Sequence, residues 1–206
     1  MLGASLKRFL KAVPAAAVLM ASSASVLSAT VSYTGTLADE NDVAFFSFTL
    51  AGPSDVTLRT WSYAGGTSAA GTVIVAGGFD PIVSLFFGTG GGALLIGAND
   101  DGLGVAVDPA TGFAFDSLLE SFALPVGTYT VALTQFANFA NGPTLGDGFL
   151  GAGIPGFDGR TNAWALDISV GAPAGVPEPT ALMLAVLGLA AVGAARRRWP
   201  VASSSA

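Results

Sequence analysis

The sequence predicts an all-β chain: a jelly-roll-like β-sandwich of about eight strands, flanked by an N-terminal signal helix and a C-terminal transmembrane helix. Three observations carry that expectation. Apolar residues in the middle of the chain recur at every second position, the spacing of a half-buried strand. Clusters of Gly, Asn, Asp and Pro separate those stretches, and none of them has a helical moment. At each end an apolar run lies against basic residues.

At the N-terminus Lys7, Arg8 and Lys11 precede the small apolar run from Ala12 to Ala24. A cationic start, a short apolar segment and then small residues are the layout of a secretory signal peptide. The run is shorter than the ~20 residues that span a bilayer, and Pro14 interrupts it. Ala24 and Ala29 both offer cleavage positions. Ala29 is preferred, because the strand-like Thr30-Val31-Ser32-Tyr33-Thr34-Gly35-Thr36 begins directly after it. The signal is therefore 1–29.

The domain expected between the signals is 30–175. Ala44-Phe46-Phe48-Leu50 alternates with more polar positions, as do Val56-Leu58, Tyr129-Val131-Leu133 and Trp164-Leu166-Ile168-Val170. Ile82 to Phe87 and Ala93 to Ile96 read as strands buried more fully. Turns fall at Gly77-Gly78, Gly88 to Gly92, Asn99 to Gly102 and Asn141-Gly142-Pro143. Two connections, Gly65 to Gly78 and Asn138 to Arg160, exceed what a hairpin needs; they are binding surfaces or mobile segments.

Composition excludes much chemistry. Of 206 residues, 51% are hydrophobic and 11% charged, 28 are glycine, and none is Cys or His. That removes disulfides, thiol nucleophiles, Cys-ligated metals, Ser–His–Asp triads and imidazole ligands. The formal charge of −6 argues against nucleic acid, which needs a basic face. It is also an average. Six of the eight basic residues lie in the two signals, leaving Arg59 and Arg160 against thirteen acids in the domain, a formal charge of −11. No carboxylate pair stands out for glycoside hydrolysis, and the middle offers only Glu40 and Glu120 as glutamates. No enzyme is expected. Gly88-Thr89-Gly90-Gly91-Gly92 lacks the Lys-Ser/Thr and the helix of a phosphate loop.

One constellation suits a cofactor. Asp80, Asn99, Asp100 and Asp101 would lie at the same end of a hairpin formed by residues 82–87 and 93–97. Calcium takes six to eight oxygen ligands from such loops. The alternative is turn chemistry, since Asn-Asp-Asp-Gly caps its own amides and Asp-Pro opens turns. Asp39-Glu40-Asn41-Asp42 reads more simply as a solvated turn. Trp61, Tyr63 and Trp164 offer either an aromatic sugar platform or core packing.

Beyond the domain come Val176-Pro177-Glu178-Pro179-Thr180, the apolar run from Ala181 to Ala195, and Arg196, Arg197 and Arg198. The prolines hold an extended, exposed segment, and the arginines keep their end cytoplasmic. Pro177-Glu178-Pro179, the apolar helix and the arginine cluster resemble the PEP-CTERM sorting signal of Gram-negative bacteria, over 176–198. That resemblance implies recognition by an exosortase, a membrane transpeptidase-like protease, through Pro177, Glu178, Pro179, Arg196, Arg197 and Arg198. It also implies removal of the helix, and a host that makes exopolysaccharide. Residues 199–206 are expected to be a disordered cytoplasmic tail; a retained tail anchor is the alternative.

The middle resembles a second family. Asn41 to Phe48 leads into Asp55-Val56-Thr57-Leu58, then Phe79-Asp80-Pro81-Ile82-Val83-Ser84-Leu85-Phe86, Leu94-Leu95-Ile96-Gly97, Asn99-Asp100-Asp101-Gly102 and Leu124-Pro125-Val126-Gly127-Thr128-Tyr129-Thr130-Val131. The order is similar to that of the bacterial pre-peptidase C-terminal domain, a small non-catalytic β-sandwich. Asn138 to Arg160 departs from its compact pattern. The expectation is a non-catalytic exported protein, inserted in the inner membrane as a precursor and mature at the cell surface, outer envelope or matrix. Its partners would be signal peptidase, an exosortase and exopolysaccharide. The alternative is a calcium-assisted carbohydrate-binding or adhesion module.

Overall fold

Period-two alternation becomes two four-stranded antiparallel sheets. The computed structural model describes residues 29–171, together with Val186, Leu187 and Leu189, which are helical. The expected signal helix and the C-terminal apolar run otherwise lie outside the described residues. Among the described residues, no helix is long and apolar enough to cross a membrane.

The long strands are β1 (Ala29–Thr36), β2 (Ala44–Leu50), β3 (Ser54–Trp61), β6 (Pro81–Phe87), β7 (Leu94–Asn99), β8 (Leu118–Leu124), β9 (Gly127–Gln135) and β10 (Ala163–Gly171). Between β3 and β6, β4 (Gly66–Thr67) and β5 (Val73–Ile74) form a separate two-residue ladder. The pairing is nested: β1 with β10, β2 with β9, β3 with β8 and β6 with β7, as in one long folded hairpin. β10–β3 and β9–β6 pairing then yields the sheets β1-β10-β3-β8 and β2-β9-β6-β7. This is jelly-roll connectivity.

The sheets bury their facing sides on one another. Val56, Leu58, Leu166 and Ile168 of the first sheet meet Val83, Leu85, Val131 and Leu133 of the second. β3 alternates buried and half-buried at every residue, the signature of one face on the core and one near solvent. Trp164 belongs to this core, edge-on to Phe46 at 5.5 Å between ring centres. Gly35 gives it room, since a Cβ there would stand 2.7 Å from the indole.

β6 and β9 are buried along almost their whole length. The segment after β9 folds back over the outer face of their sheet, where Ala140, Leu145 and Phe149 pack on Phe86, Ala93 and Ala132. Asn138 to Arg160 is therefore a cover rather than a free loop. Its far end also drives Phe157 into the main core, 5.6 Å from Phe79. Of the stretch Ala93 to Ile96, expected to be buried more fully, Ala93 is buried but Leu94 and Ile96 are not. β7 is an edge strand with Leu94 and Ile96 about half exposed.

The two poles of the sandwich differ. The connections 51–53, 88–93 and 125–126 at one pole are short. The connections 37–43, 62–80, 100–117 and 136–162 begin and end at the other, and 136–162 reaches back across the sheet to Gly91 and Ala93.

Candidate metal centre and cleft

The long-loop pole holds the acidic constellation. Val83 pairs with Asn99 in the β6–β7 ladder, so the residue just before β6 and those just after β7 converge. Asp80, Asp100 and Asp101 each place a carboxylate oxygen within 4.8 Å of the others. Two oxygens bound to one calcium ion at about 2.4 Å each lie at most about 4.8 Å apart. Three carboxylates supply three to six of the six to eight oxygens calcium takes, and backbone carbonyls or water complete the set.

Asn99 takes a different place. Its Oδ1 accepts the Leu118 N–H at 2.8 Å and its Nδ2 donates to the Asp101 carbonyl at 3.2 Å. The side chain braces the loop and positions Asp101. Behind it stands Ser117, fully buried, whose hydroxyl lies 2.6–2.8 Å from the carbonyls of Pro81, Asn99 and Asp100. Sequence gives no sign of Ser117, because a lone Ser before a strand carries no signal. Thr60 completes the support by accepting the Ser117 N–H at 2.8 Å.

Electrostatics at the trio are unfavourable without a cation. Oδ1 of Asp80 and Oδ1 of Asp100 are buried with no hydrogen-bond partner. Burial, then repulsion from Asp100, Asp101 and Asp116, pushes the Asp80 carboxyl up to about 8, against a weaker pull from Arg160. Burial and Asp101 raise Asp100 to about 6, and burial raises Asp101. Nearby Asp116 is raised by burial as well, although it accepts N–H groups from Ser62, Tyr63 and Ala64. Like-charged carboxylates this close hold protons unless a cation replaces them.

Asp39 to Asp42 shows what acidic turn chemistry looks like. Asp39 Oδ1 accepts the Asn41 N–H, and Asp42 accepts those of Ala38 and Val43. Asn41 also clasps the covering segment, accepting from Gly153 at 2.9 Å and, at its carbonyl, from Asn138 at 3.1 Å.

Trp61, Tyr63 and Trp164 do not form a platform. Trp164 is in the core, and Trp61 lies under the Arg59 guanidinium, with its Nε1 bonded to Asp167 at 2.8 Å. Tyr63 is 6% exposed, with Arg160 3.7 Å from its ring centre and the Phe115 ring at 4.8 Å. Phe115 in turn stacks on Phe113 at 5.0 Å. Arg160 and Asp108 make an ion pair at 2.9 Å, which holds the Asp108 carboxyl below its ordinary range.

That stack borders a cleft of about 440 Å³ whose wall includes Asp80, Phe113, Gln135, Phe157 and Arg160. Asp80 thus belongs to both the trio and the cleft. Sequence pattern does not reveal the cleft; the nearest signal is the pair Phe113 and Phe115 in a connection without strand pattern.

The trio and cleft lie far along the chain from the terminal signal. Residues 175–198 match the PEP-CTERM protein-sorting motif. The PEP-CTERM motif marks an exported, envelope-sorted protein processed by an exosortase. Pro177, Glu178, Pro179 and Arg196 to Arg198 fall inside the matched span but outside the described residues. No curated protein matches this chain.

Proposed function

We propose that the mature protein is a non-catalytic component of the cell surface or extracellular matrix, released from its membrane segment by an exosortase and associated with exopolysaccharide. The observation that carries the reading is the PEP-CTERM motif at 175–198, behind a β-domain of formal charge −11. A chain without Cys or His also lacks the commonest nucleophile–base pairs. The order of motifs resembling the pre-peptidase C-terminal domain supports a binding role as well. Mass spectrometry of the protein recovered from its host tests the reading. The expected product lacks residues 181–206 and fractionates with extracellular polysaccharide. A mature form that keeps 181–198 overturns the sorting step, and one found only in the cytoplasm overturns the whole.

A second reading, calcium-assisted binding of carbohydrate or adhesion, is favoured by the trio and its two unpartnered carboxylate oxygens. Asp80, Asp100 and Asp101 would hold the ion and Asn99 would brace it. Calcium is expected to raise the Tm of wild type and not of Asp100→Asn. An equal response in both proteins sinks the metal part.

A further inference from the structure

The cleft at the long-loop pole contains groups that neither sorting nor metal binding uses. Gln135 is 1% exposed, and its Oε1 has no hydrogen-bond partner. The residue opposite it in the β6–β9 ladder is Pro81, next to Asp80, and Gln135 and Asp80 both line the cleft. A buried carbonyl left without a donor is costly, and a ligand donor relieves it. The remaining wall is aromatic on one side, where Phe113 and Phe115 stack with planes 4° apart and Phe113 is 55% exposed.

Charge narrows the ligand. Asp80 and Asp158 oppose an anion at the wall. Arg160 opposes a cation, and its guanidinium already donates to Gly78, Tyr63 and Asp108. What fits is a neutral molecule with hydroxyl donors and an apolar face, in a volume typical of small-ligand clefts.

We propose that this cleft binds one sugar ring of a neutral glycan. Gln135 Oε1 accepts a hydroxyl proton, Phe113 and Phe115 bear on the C–H face of the ring, and Asp80 links the ring to the cation held with Asp100 and Asp101. The inference rests on the calcium-assisted reading above, and the trial separates the two. The full chain, in a sugar-free polyoxyethylene detergent with calcium, is applied to an array of neutral hexose oligosaccharides, and hits are titrated by calorimetry. Binding is expected, and Gln135→Met and Phe113→Ser each weaken it about tenfold. Both variants keep the calcium-induced rise in Tm. Gln135→Met removes the orphan carbonyl at similar volume, and Phe113 is exposed enough for Ser to leave the fold intact.

A rise in Tm with calcium but no glycan bound overturns this inference and leaves the metal reading standing. Glycan binding without any calcium effect overturns the metal reading and the Asp80 link, while the cleft assignment survives. Binding that both substitutions leave unchanged, or preference for tetramethylammonium over every glycan, overturns the cleft assignment.

Discussion

Ala29 stands directly opposite Val170 in the antiparallel ladder of β1 and β10. The chain therefore enters and leaves the sandwich at one pole, the one with short turns. Asp80, Asp100, Asp101 and the cleft occupy the other. Short turns suit an end that carries only chain continuity, whereas long connections on a rigid scaffold are where binding groups are displayed. The exosortase acts on the chain beyond β10, so the loops that carry the candidate site are remote from the exit of the processed segment.

That polarity is testable because the chain has no cysteine of its own. Leu103, 93% exposed, marks the site pole and Val126, 58% exposed, marks the chain-end pole. With Leu103→Cys or Val126→Cys coupled to a bulky maleimide polymer, exosortase processing should proceed for the first and slow for the second. Equal rates in a gel-shift assay would contradict the assignment.

The trio dictates a pH response. Burial and mutual repulsion raise Asp80 to about 8 and Asp100 to about 6, so the folded chain holds these protons more tightly than an unfolded chain. Stability of the calcium-free domain accordingly falls as pH rises from about 4 to about 8. After allowance for solvent screening, a fall in Tm of roughly 5 °C between pH 5 and pH 8 is expected. Bound calcium replaces the protons and flattens the slope. Calorimetric scans with chelator and with calcium check this. A Tm that stays flat or rises with pH in chelator would show that the folded chain does not hold these protons more tightly than the unfolded one.

Arg160 is the opposite case, a cation that the fold uses fully. Its guanidinium donates to the Tyr63 carbonyl and to Asp108, each at 2.9 Å, and lies over the Tyr63 ring. Arg160→Ala should lower Tm by roughly 5 °C or more at neutral pH. Arg160→Lys should recover only part, because an ammonium cannot reproduce the planar fork. Hydrogen bonds from Arg160 first, and then from Ala110, hold the Asp108 carboxyl low. The contribution of the pair is present above the ordinary carboxylate pKa and fades as pH falls through the lowered one. The gap between wild type and Arg160→Ala should therefore narrow in strong acid. A gap independent of pH would assign the loss to the carbonyl hydrogen bonds and packing rather than to the pair with Asp108.

Sequence and structure agree where one face of a strand alone meets the core. Val56-Leu58 alternates because its outer face carries half-buried polar groups such as Arg59, whereas between Trp164, Leu166 and Ile168 the intervening Ala165 and Asp167 are buried as well. Leu118–Leu124 hid its strand, because β8 is an edge strand with Phe122 69% exposed and Ala123 at a φ of 53°. The covering role of Asn138 to Arg160 was also hidden. Its contacts come from scattered residues on glycine-rich backbone, which has no period to read. Asp80 could be placed near Asp100 and Asp101 because hairpin register alone brings those positions together. The cleft depends on aromatics from separate connections, and pattern within any one of them does not reveal a shared wall.

The covering segment offers the last test, through two of its glycines. Gly153 packs so closely against the Glu40 carbonyl that an added Cβ would run into the backbone there. The same glycine donates its N–H to Asn41. Gly153→Ala must therefore push the cover away from the 39–42 turn, at a cost of about 1–3 kcal/mol. Gly151, two residues earlier, has open space around a Cβ and a φ of +63°, so Gly151→Ala tests backbone strain without a clash. Its cost should be about 1–2 kcal/mol, with the clasp at Asn41 intact. Limited proteolysis separates the two effects. Cleavage within 138–160 should accelerate strongly for Gly153→Ala and little for Gly151→Ala. If the two variants are cut at the same rate, close approach to Glu40 is not what fastens the cover.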